Sequence, residues 1–179
     1  MADRGVDSPG HDKARPSRWL TDNLDLVPKG QPVLDVASGR GRHARAVAAA
    51  GWHVHAVDRD PTALASIDVD GRFRGAIATA VIDLEADHVS LGQSVYGAIL
   101  VFNYLHRPLM PVLIDALAPG GVLIYETFTR GQAARGHPRN PAFLLDDGEL
   151  PRLVRPLEVV RSFEGERDGN LIASVVARR

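Results

Sequence analysis

Residues 33–44, with the sequence VLDVASGRGRHA, constrain the fold of this chain more than any other segment. Residues 33–37 are a short apolar run of the buried-strand type, Gly39 and Gly41 follow, and an alanine-rich helix is predicted at residues 44–50. A strand, a glycine turn and a helix in this order are typical of α/β proteins that hold a nucleotide-type cofactor at the turn. The segment therefore predicts a cofactor site and leaves the identity of the cofactor open.

The alternation of strands and helices continues along the chain. Asp60 and Pro61 supply an N-cap and a first-turn proline for one helix, and the Pro119–Gly120–Gly121 turn ends another. Parallel strands need crossover connections, so this order predicts an α/β fold with a mostly parallel sheet covered on both faces by helices. The predicted strands are 33–37, 53–58, 78–82, 98–102 and 122–127, the predicted helices are 16–26, 44–50, 60–67, 109–118 and 147–154, and a terminal hairpin joins 157–164 to 171–178.

Length, charge and cysteine content narrow the class of protein. With 179 residues, of which 45% are hydrophobic, the chain predicts a single domain at residues 16–179 after a polar, disordered tail at residues 1–15. The net charge of −1 favours a small-molecule partner, and no nucleic acid or membrane is expected. The chain has no cysteine, which excludes disulfides, thiolate metal ligands and cysteine nucleophiles. We expect a soluble, cytoplasmic protein because the sequence has no signal peptide and no apolar run of membrane length.

The glycine turn fits two cofactors. Residues 39–44 satisfy the G-x-G-x-x-G/A pattern of dinucleotide-binding folds, so a nicotinamide cofactor has to be considered. Asp35, however, lies inside the first strand, where that fingerprint usually has an apolar residue or a glycine. A buried carboxylate is costly unless it meets a positive group or accepts several hydrogen bonds. The sulfonium cofactor S-adenosylmethionine carries an ammonium group that suits such a position.

The pattern D-x-A-x-G-x-G, formed by Asp35, Ala37, Gly39 and Gly41, resembles the first motif of the class I S-adenosylmethionine-dependent methyltransferases. The resemblance implies a Rossmann-like, doubly wound, seven-stranded sheet with an antiparallel C-terminal hairpin, and S-adenosylmethionine as cofactor. It also implies three groups of contacts at the ends of later strands: Asp58 with Arg59 at the ribose, Asp83 and Leu84 at the adenine, and Phe102 and Asn103 at the methionine moiety.

Four short segments narrow the resemblance to one group within this class of methyltransferases. Gly-Arg-Gly-Arg-His at residues 39–43, Val-Asp-Arg-Asp at 57–60, Tyr-Glu-Thr-Phe at 125–128 and Pro-Arg-Asn-Pro at 138–141 are similar to those of small bacterial methyltransferases grouped with the tellurite-resistance type. The group name does not assign an acceptor to this chain.

Residues for the acceptor side follow from the chemistry of methyl transfer, in which a base is needed only for a neutral acceptor. His106 and Tyr104, after the fourth strand, are the predicted catalytic residues, and Arg130 and Arg139 are the predicted ligands of a small anionic acceptor or thiolate. Arg42 or its neighbour Arg40 could also face the site. The long irregular stretch at residues 128–145 is either a lid or an interface. No metal site is expected, because His53 and His55 have no third ligand at a suitable spacing.

Three alternatives remain open at this stage. A nicotinamide-dependent oxidoreductase would use Asp58 equally well, but the short chain leaves little room for a second substrate domain. A nucleic-acid methyltransferase is disfavoured by the absence of cysteine and by Asn103-Tyr104-Leu105-His106 in place of a proline-containing motif. A protein that holds the cofactor without catalysis would have the same sequence features. The oligomeric state does not follow from the sequence.

Overall fold

The structure, a computed structural model, describes residues 15–179, so the predicted tail lies outside the described residues except for Arg15. Within this part of the chain one sheet of seven strands has the order β3-β2-β1-β4-β5-β7-β6. The strands are β1 (Val33–Val36), β2 (Val54–Asp58), β3 (Ile77–Val81), β4 (Tyr96–Phe102), β5 (Leu117–Phe128), β6 (Glu158–Arg167) and β7 (Asn170–Arg178). The helices are α1 (Arg18–Thr21), α2 (Arg42–Ala49), α3 (Pro61–Ala65), α4 (Met110–Ala116) and α5 (Glu149–Leu153).

The first five strands are parallel, and β7 lies antiparallel between β5 and the edge strand β6. The core is divided between the two faces of the sheet because side chains alternate along each strand. Leu34 and Ile99 pack on the face covered by α4 and α5, whereas Val33 and Leu100 pack on the face covered by α1, α2 and α3. The predicted α/β fold with a terminal hairpin is confirmed.

The connection from β3 to β4 has no helix, and none was predicted there; β3 is largely exposed at the sheet edge. Two local details differ from the sequence-based expectation. β5 begins at Leu117 instead of Val122, because Leu117 already pairs with Tyr96 of β4. The hairpin turns at Asp168 and Gly169, both of which have positive φ angles. Strand pairing continues up to this two-residue turn, so both strands are longer than the predicted 157–164 and 171–178. An Asp-Gly pair is the usual signal for such a tight turn.

No helix within residues 15–179 has the length and apolar character that a membrane crossing requires.

Candidate active site

A cavity of about 370 Å³ opens at the carboxyl ends of the parallel strands, and we call it the first cavity. Ala37 follows β1, Asp58 ends β2, Asp83 follows β3 and Asn103 follows β4, so four strand ends contribute to its wall. Open α/β sheets hold their ligands at this edge, and the volume is of the size usual for small-molecule sites. The other lining residues are Arg59, Ile82, Leu84, Glu85, Tyr104, Leu105, Phe128, Pro138 and Phe143.

The carboxylate of Asp58 is held in a fixed orientation by two backbone groups. Its Oδ2 accepts a hydrogen bond from the Gly39 N–H at 2.8 Å, and its Oδ1 accepts one from the Asp60 N–H at 2.9 Å. A carboxylate oxygen can accept more than one hydrogen bond, so each oxygen keeps capacity for a hydroxyl group. Asp58 therefore presents two oriented acceptors on the cavity wall, which suits a pair of neighbouring hydroxyls.

The glycine turn beneath Asp58 needs glycine at Gly41. Gly41 has a φ of +70°, and a Cβ atom there would lie 2.7 Å from the Ile67 side chain. Gly39 also has a positive φ, but a Cβ atom there would meet nothing within 4 Å. Gly41 thus allows the start of α2 to pack against Ile67, in the connection after α3. Gly39 leaves open space beside the Asp58 carboxylate.

The β3 side of the first cavity combines apolar and acidic groups. Asp83 Oδ1 accepts a hydrogen bond from the Glu85 N–H at 3.0 Å, and Leu84 between them is buried. Burial raises the pKa of the Tyr104 phenol, and the carboxylates of Glu85 and Asp83 raise it further. Tyr104 is therefore protonated at neutral pH.

Asp35 lies beneath the cavity wall. It is 1% exposed, and its Oδ2 accepts a hydrogen bond from the Ala44 N–H of α2 at 3.0 Å. Burial raises its pKa to about 7, although the Ala44 hydrogen bond and the Arg42 charge act in the opposite direction. Burial thus keeps this carboxyl group protonated to a higher pH than an exposed aspartate, and a nearby cation would favour its ionised form.

His43 and Phe102 belong to the packing behind the site. Their rings stack with centroids 4.0 Å apart, and both residues are buried. Burial and then the Arg42 charge lower the pKa of His43 to about 3, so its imidazole is neutral. Phe102 does not line the first cavity. The pair fixes the start of α2 against the end of β4.

A second cavity of about 390 Å³ lies beside the first, and Asn103 and Phe128 line both. We call it the arginine-lined cavity, because Arg15, Arg18, Arg42 and Arg167 contribute to its wall. Asn103 has a φ of +56°, and its backbone N–H donates to the Glu126 carbonyl oxygen at 2.9 Å. The remaining lining residues are Pro16, Ser17, Glu126, Asp168, Asn170 and Ile172.

Glu126 is a buried acidic residue of the arginine-lined cavity to which the sequence analysis assigns no role. Its Oε1 accepts from the Ser17 hydroxyl at 2.6 Å, and its Oε2 accepts from the Ser174 hydroxyl at 2.8 Å and from Arg167 Nη1 at 3.4 Å. These donors come from the N-terminal segment, β7 and β6. Glu126 was the one acidic residue in the predicted fifth strand, which is the signal that could have drawn attention to it.

The segment 129–148 forms a wall of the first cavity through Pro138 and Phe143, and Arg107 fastens it to the loop after β4. Arg107 Nε lies 2.6 Å from Glu149 Oε1, and its Nη2 lies 2.9 Å from Glu149 Oε2. Arg107 also donates to the carbonyl oxygens of Ala142 and Leu144. The bidentate pair and the two carbonyl contacts hold the segment in place.

The substitution Arg107→Gln tests this attachment. We expect the free energy of unfolding to fall by about 1 to 2 kcal/mol, since a charged, bidentate pair is lost but water partly screens it. Limited proteolysis should cut the segment 129–148 faster. The control is Arg130→Gln, whose partner Asp146 is exposed, and it should leave the denaturation midpoint nearly unchanged. Equal midpoints for the wild type and Arg107→Gln would contradict the role of Arg107.

The structure brings seven of the predicted site residues to the first cavity, and the others lie elsewhere. Asp35, Gly39, Gly41 and Phe102 lie beneath or behind its wall. His106 precedes a 3₁₀ turn and lines neither cavity. Arg130 pairs with Asp146, Arg139 donates to the Gly136 carbonyl oxygen, and neither lines a cavity. The residues at the first cavity are Ala37, Asp58, Arg59, Asp83, Leu84, Asn103 and Tyr104.

Sequence reasoning missed two sets of residues at these cavities. The apolar walls from Ile82, Leu105 and the segment 129–148 give no sequence signal beyond ordinary core composition. Arg18 and Arg167 meet in the wall of the arginine-lined cavity because the terminal hairpin folds back on the N-terminal segment. Of the arginines in this wall, the sequence analysis singled out only Arg42, in the glycine turn. Among residues 15–179 no group of three potential ligands is arranged to hold a metal ion.

The sequence matches no family model and no curated protein. Solved structures are similar to it in fold. An S-adenosylmethionine-dependent methyltransferase from Mesorhizobium loti superposes with a TM-score of 0.71 at 16% identity, over 89% of this chain and 96% of that chain. The N-methyltransferase NodS from Bradyrhizobium japonicum WM9 gives 0.65 at 16% identity, over 89% and 93%. TehB from Haemophilus influenzae gives 0.69 at 18% identity, over 90% of this chain and 61% of that chain. The chain thus has the fold of these methyltransferases.

Proposed function

We propose that this protein is an S-adenosylmethionine-dependent methyltransferase that acts on a small molecule. The observation that carries the proposal is the first cavity, where the backbone-fixed Asp58 and the acidic edge at Asp83 lie at neighbouring strand ends. The similarity in fold to the methyltransferase from Mesorhizobium loti supports it. Residues 16–179 would act as one cofactor-binding domain in the cytoplasm.

The residues at the first cavity fit the parts of S-adenosylmethionine. Asp58 would accept hydrogen bonds from both ribose hydroxyls through oxygens that Gly39 and Asp60 already orient. Asp83 would accept from the adenine amino group, and Leu84 would offer its backbone to the ring. Asp35 would face the ammonium group electrostatically from beneath the wall. Asn103 would lie beside the methionine moiety, at the opening toward the arginine-lined cavity.

Bound S-adenosylmethionine would supply a methyl group activated by its sulfonium sulfur, for transfer to a lone pair of the acceptor while the carbon–sulfur bonding electrons stay on sulfur. The chain's contribution is to hold the two partners in line at Asn103 and to exclude water with Phe128 and the segment 129–148. An anionic acceptor or thiolate needs no base, which agrees with the absence of His106 from both cavities.

The relationship to the tellurite-resistance type is a narrower proposal. It rests on the four short segments noted above and on the likeness in fold to TehB from Haemophilus influenzae. The proposal concerns only the group of methyltransferases to which the chain is related. The methyl acceptor has to be identified by experiment.

Thermal unfolding in the presence of ligands tests the proposed function. S-adenosylhomocysteine at about 100 times its dissociation constant should stabilise the protein by ~2.7 kcal/mol, which raises the Tm by several degrees. NAD(H) at the same concentration should leave the Tm unchanged. A shift with NAD(H) alone would replace the proposal with an oxidoreductase. Binding of S-adenosylmethionine without turnover of any acceptor in a screen of small anions and thiols would indicate a non-catalytic binding protein.

A further inference from the structure

We propose that the arginine-lined cavity binds an anionic group of the methyl acceptor, a carboxylate or a phosphate, through Arg42 and Arg167. The inference rests on the proposed function, because it treats the neighbouring first cavity as the methyl-donor site. It places the acceptor's charge between the N-terminal segment, α2 and the terminal hairpin, away from the arginines of the segment 129–148.

The arginine-lined cavity adjoins the first cavity. Asn103 and Phe128 line both cavities, so a molecule in one lies next to a molecule in the other. The Asn103 side chain is exposed at the end of β4, and its backbone is fixed by the hydrogen bond to the Glu126 carbonyl oxygen. An acceptor anchored among the arginines would therefore present its reacting atom toward Asn103.

The charged groups on the wall of the arginine-lined cavity favour an anion. Arg167 is paired with Glu126, which also accepts from two serine hydroxyls, so this ion pair adds no net charge to the wall. Arg18 and Arg42 then share the wall with one further carboxylate, that of Asp168. These two arginines leave the wall with an excess of positive charge, whereas the first cavity carries three carboxylates, those of Asp58, Asp83 and Glu85, and one guanidinium, that of Arg59. A cationic acceptor would be repelled from the arginine-lined cavity, and an anionic one attracted.

Arg167 is held in one orientation before any ligand binds. Its guanidinium lies 4.3 Å from the centroid of the Phe163 ring and 5.2 Å from that of the Trp19 ring, and Nη1 reaches Glu126. Stacking on aromatic rings leaves the edge of a guanidinium free for further donation. A guanidinium that is already oriented loses little entropy when it binds a carboxylate or a phosphate in bidentate fashion.

Arg42 lines the same cavity from the glycine turn. It lies at the start of α2 and is partly withdrawn from water, and that burial lowers its pKa, against the effects of Glu126 and Asp35. Its Nη1 donates to the carbonyl oxygen of Arg15 at 3.3 Å, a neutral acceptor. A partly desolvated guanidinium gains more from an anion than one in bulk water does. Arg42 and Arg167 thus form the two sides of an anion site.

Calorimetric titration tests the proposal with defined probes. Inorganic phosphate and malonate are titrated separately, at low salt, into the wild-type protein saturated with S-adenosylhomocysteine, and choline serves as the cationic probe. We expect one of the two anions to bind and choline not to bind. Phosphate binding alone would assign a phosphate group to the acceptor, and malonate binding alone would assign a carboxylate.

Four variants locate the binding. Arg42→Gln, Arg167→Gln and the exposed Arg18→Gln change the cavity wall, while Arg155→Gln removes an exposed arginine near the end of α5. The affinity for the anion should fall roughly tenfold or more in the Arg42 and Arg167 variants, less in Arg18→Gln, and not in Arg155→Gln. Thermal unfolding of each variant confirms that it is folded, and Arg18→Gln keeps the test valid if the two less exposed positions destabilise the protein.

The outcomes separate this inference from the proposed function. If S-adenosylhomocysteine binds but neither anion does, or if anion affinity is equal in all variants, the inference is wrong and the proposed function stands. If the affinity for the anions depends on Arg42 and Arg167 but S-adenosylhomocysteine does not bind, the cavity is an anion site without a methyl donor. The proposal that it binds a methyl acceptor is then overturned.

Discussion

The substitution Asp58→Ala is expected to weaken S-adenosylhomocysteine binding by about 10- to 100-fold. Hydrogen bonds to a charged partner contribute about 1.5 to 3 kcal/mol each, and a tenfold change in affinity corresponds to about 1.4 kcal/mol. The substitution also releases the N–H groups of Gly39 and Asp60, which the carboxylate orients in the wild type. The loss should therefore exceed the contribution of one ligand hydrogen bond.

Calorimetry measures this effect directly, with Asp87→Ala as the matched control. Asp87 is an exposed carboxylate in the connection after β3 and does not line the first cavity. Its removal changes the net charge by the same amount without touching the site. If Asp58→Ala and Asp87→Ala bind S-adenosylhomocysteine as tightly as the wild type, Asp58 is not a cofactor ligand.

The second large effect concerns the dependence of stability on pH. Burial raises the pKa of Asp35 from 3.8 to about 7, so between these values the folded protein holds a proton that the unfolded chain has lost. Stability falls with rising pH wherever the folded state binds more protons. The contribution of Asp35 is therefore fully present below pH 4 and is lost as the pH rises through about 7. At about 1.4 kcal/mol per pKa unit, the whole change is about 4 kcal/mol.

Denaturant unfolding of the wild type and Asp35→Asn at pH 4.5, 6 and 8 measures this contribution. An asparagine can still accept the hydrogen bond from the Ala44 N–H but carries no titrating proton. We expect the wild type to lose stability relative to Asp35→Asn as the pH rises, with little further change above pH 8. Asp87→Asn controls for the loss of a surface charge. Parallel profiles of the wild type and Asp35→Asn would show that Asp35 titrates at its ordinary pKa.

The residues that line the first cavity at the strand ends could be predicted because their signals are local. Ala37, Asp58, Asp83 and Asn103 each follow a run that the sequence already marks as a strand, and the carboxyl ends of parallel strands meet at one edge. The order of strands and helices follows from the same periodicity. The exact ends of the elements were less well predicted, since pairing such as that of Leu117 with Tyr96 extends a strand beyond its apolar run.

The arginine-lined cavity could not be predicted in the same way. Arg130 and Arg139 are conspicuous in the sequence, yet Arg130 pairs with Asp146 and Arg139 donates to a carbonyl within its own segment. Arg167, by contrast, lies in a charged stretch of an edge strand that looks like ordinary surface. Its orientation is set by Trp19 and Glu126, which are distant from it in the chain.

The sequence by itself determined the alternation of strands and helices, the glycine turn and the acidic residues that follow the strands, because these depend on neighbours within a few residues. Only the tertiary structure decided that an arginine-lined cavity adjoins the first cavity and that Arg107 fastens the segment 129–148. The physical reason is the insertion of β7 between β5 and β6, which brings Arg167 to Glu126, and the desolvation of groups such as Asp35, which depends on atoms packed from every part of the chain.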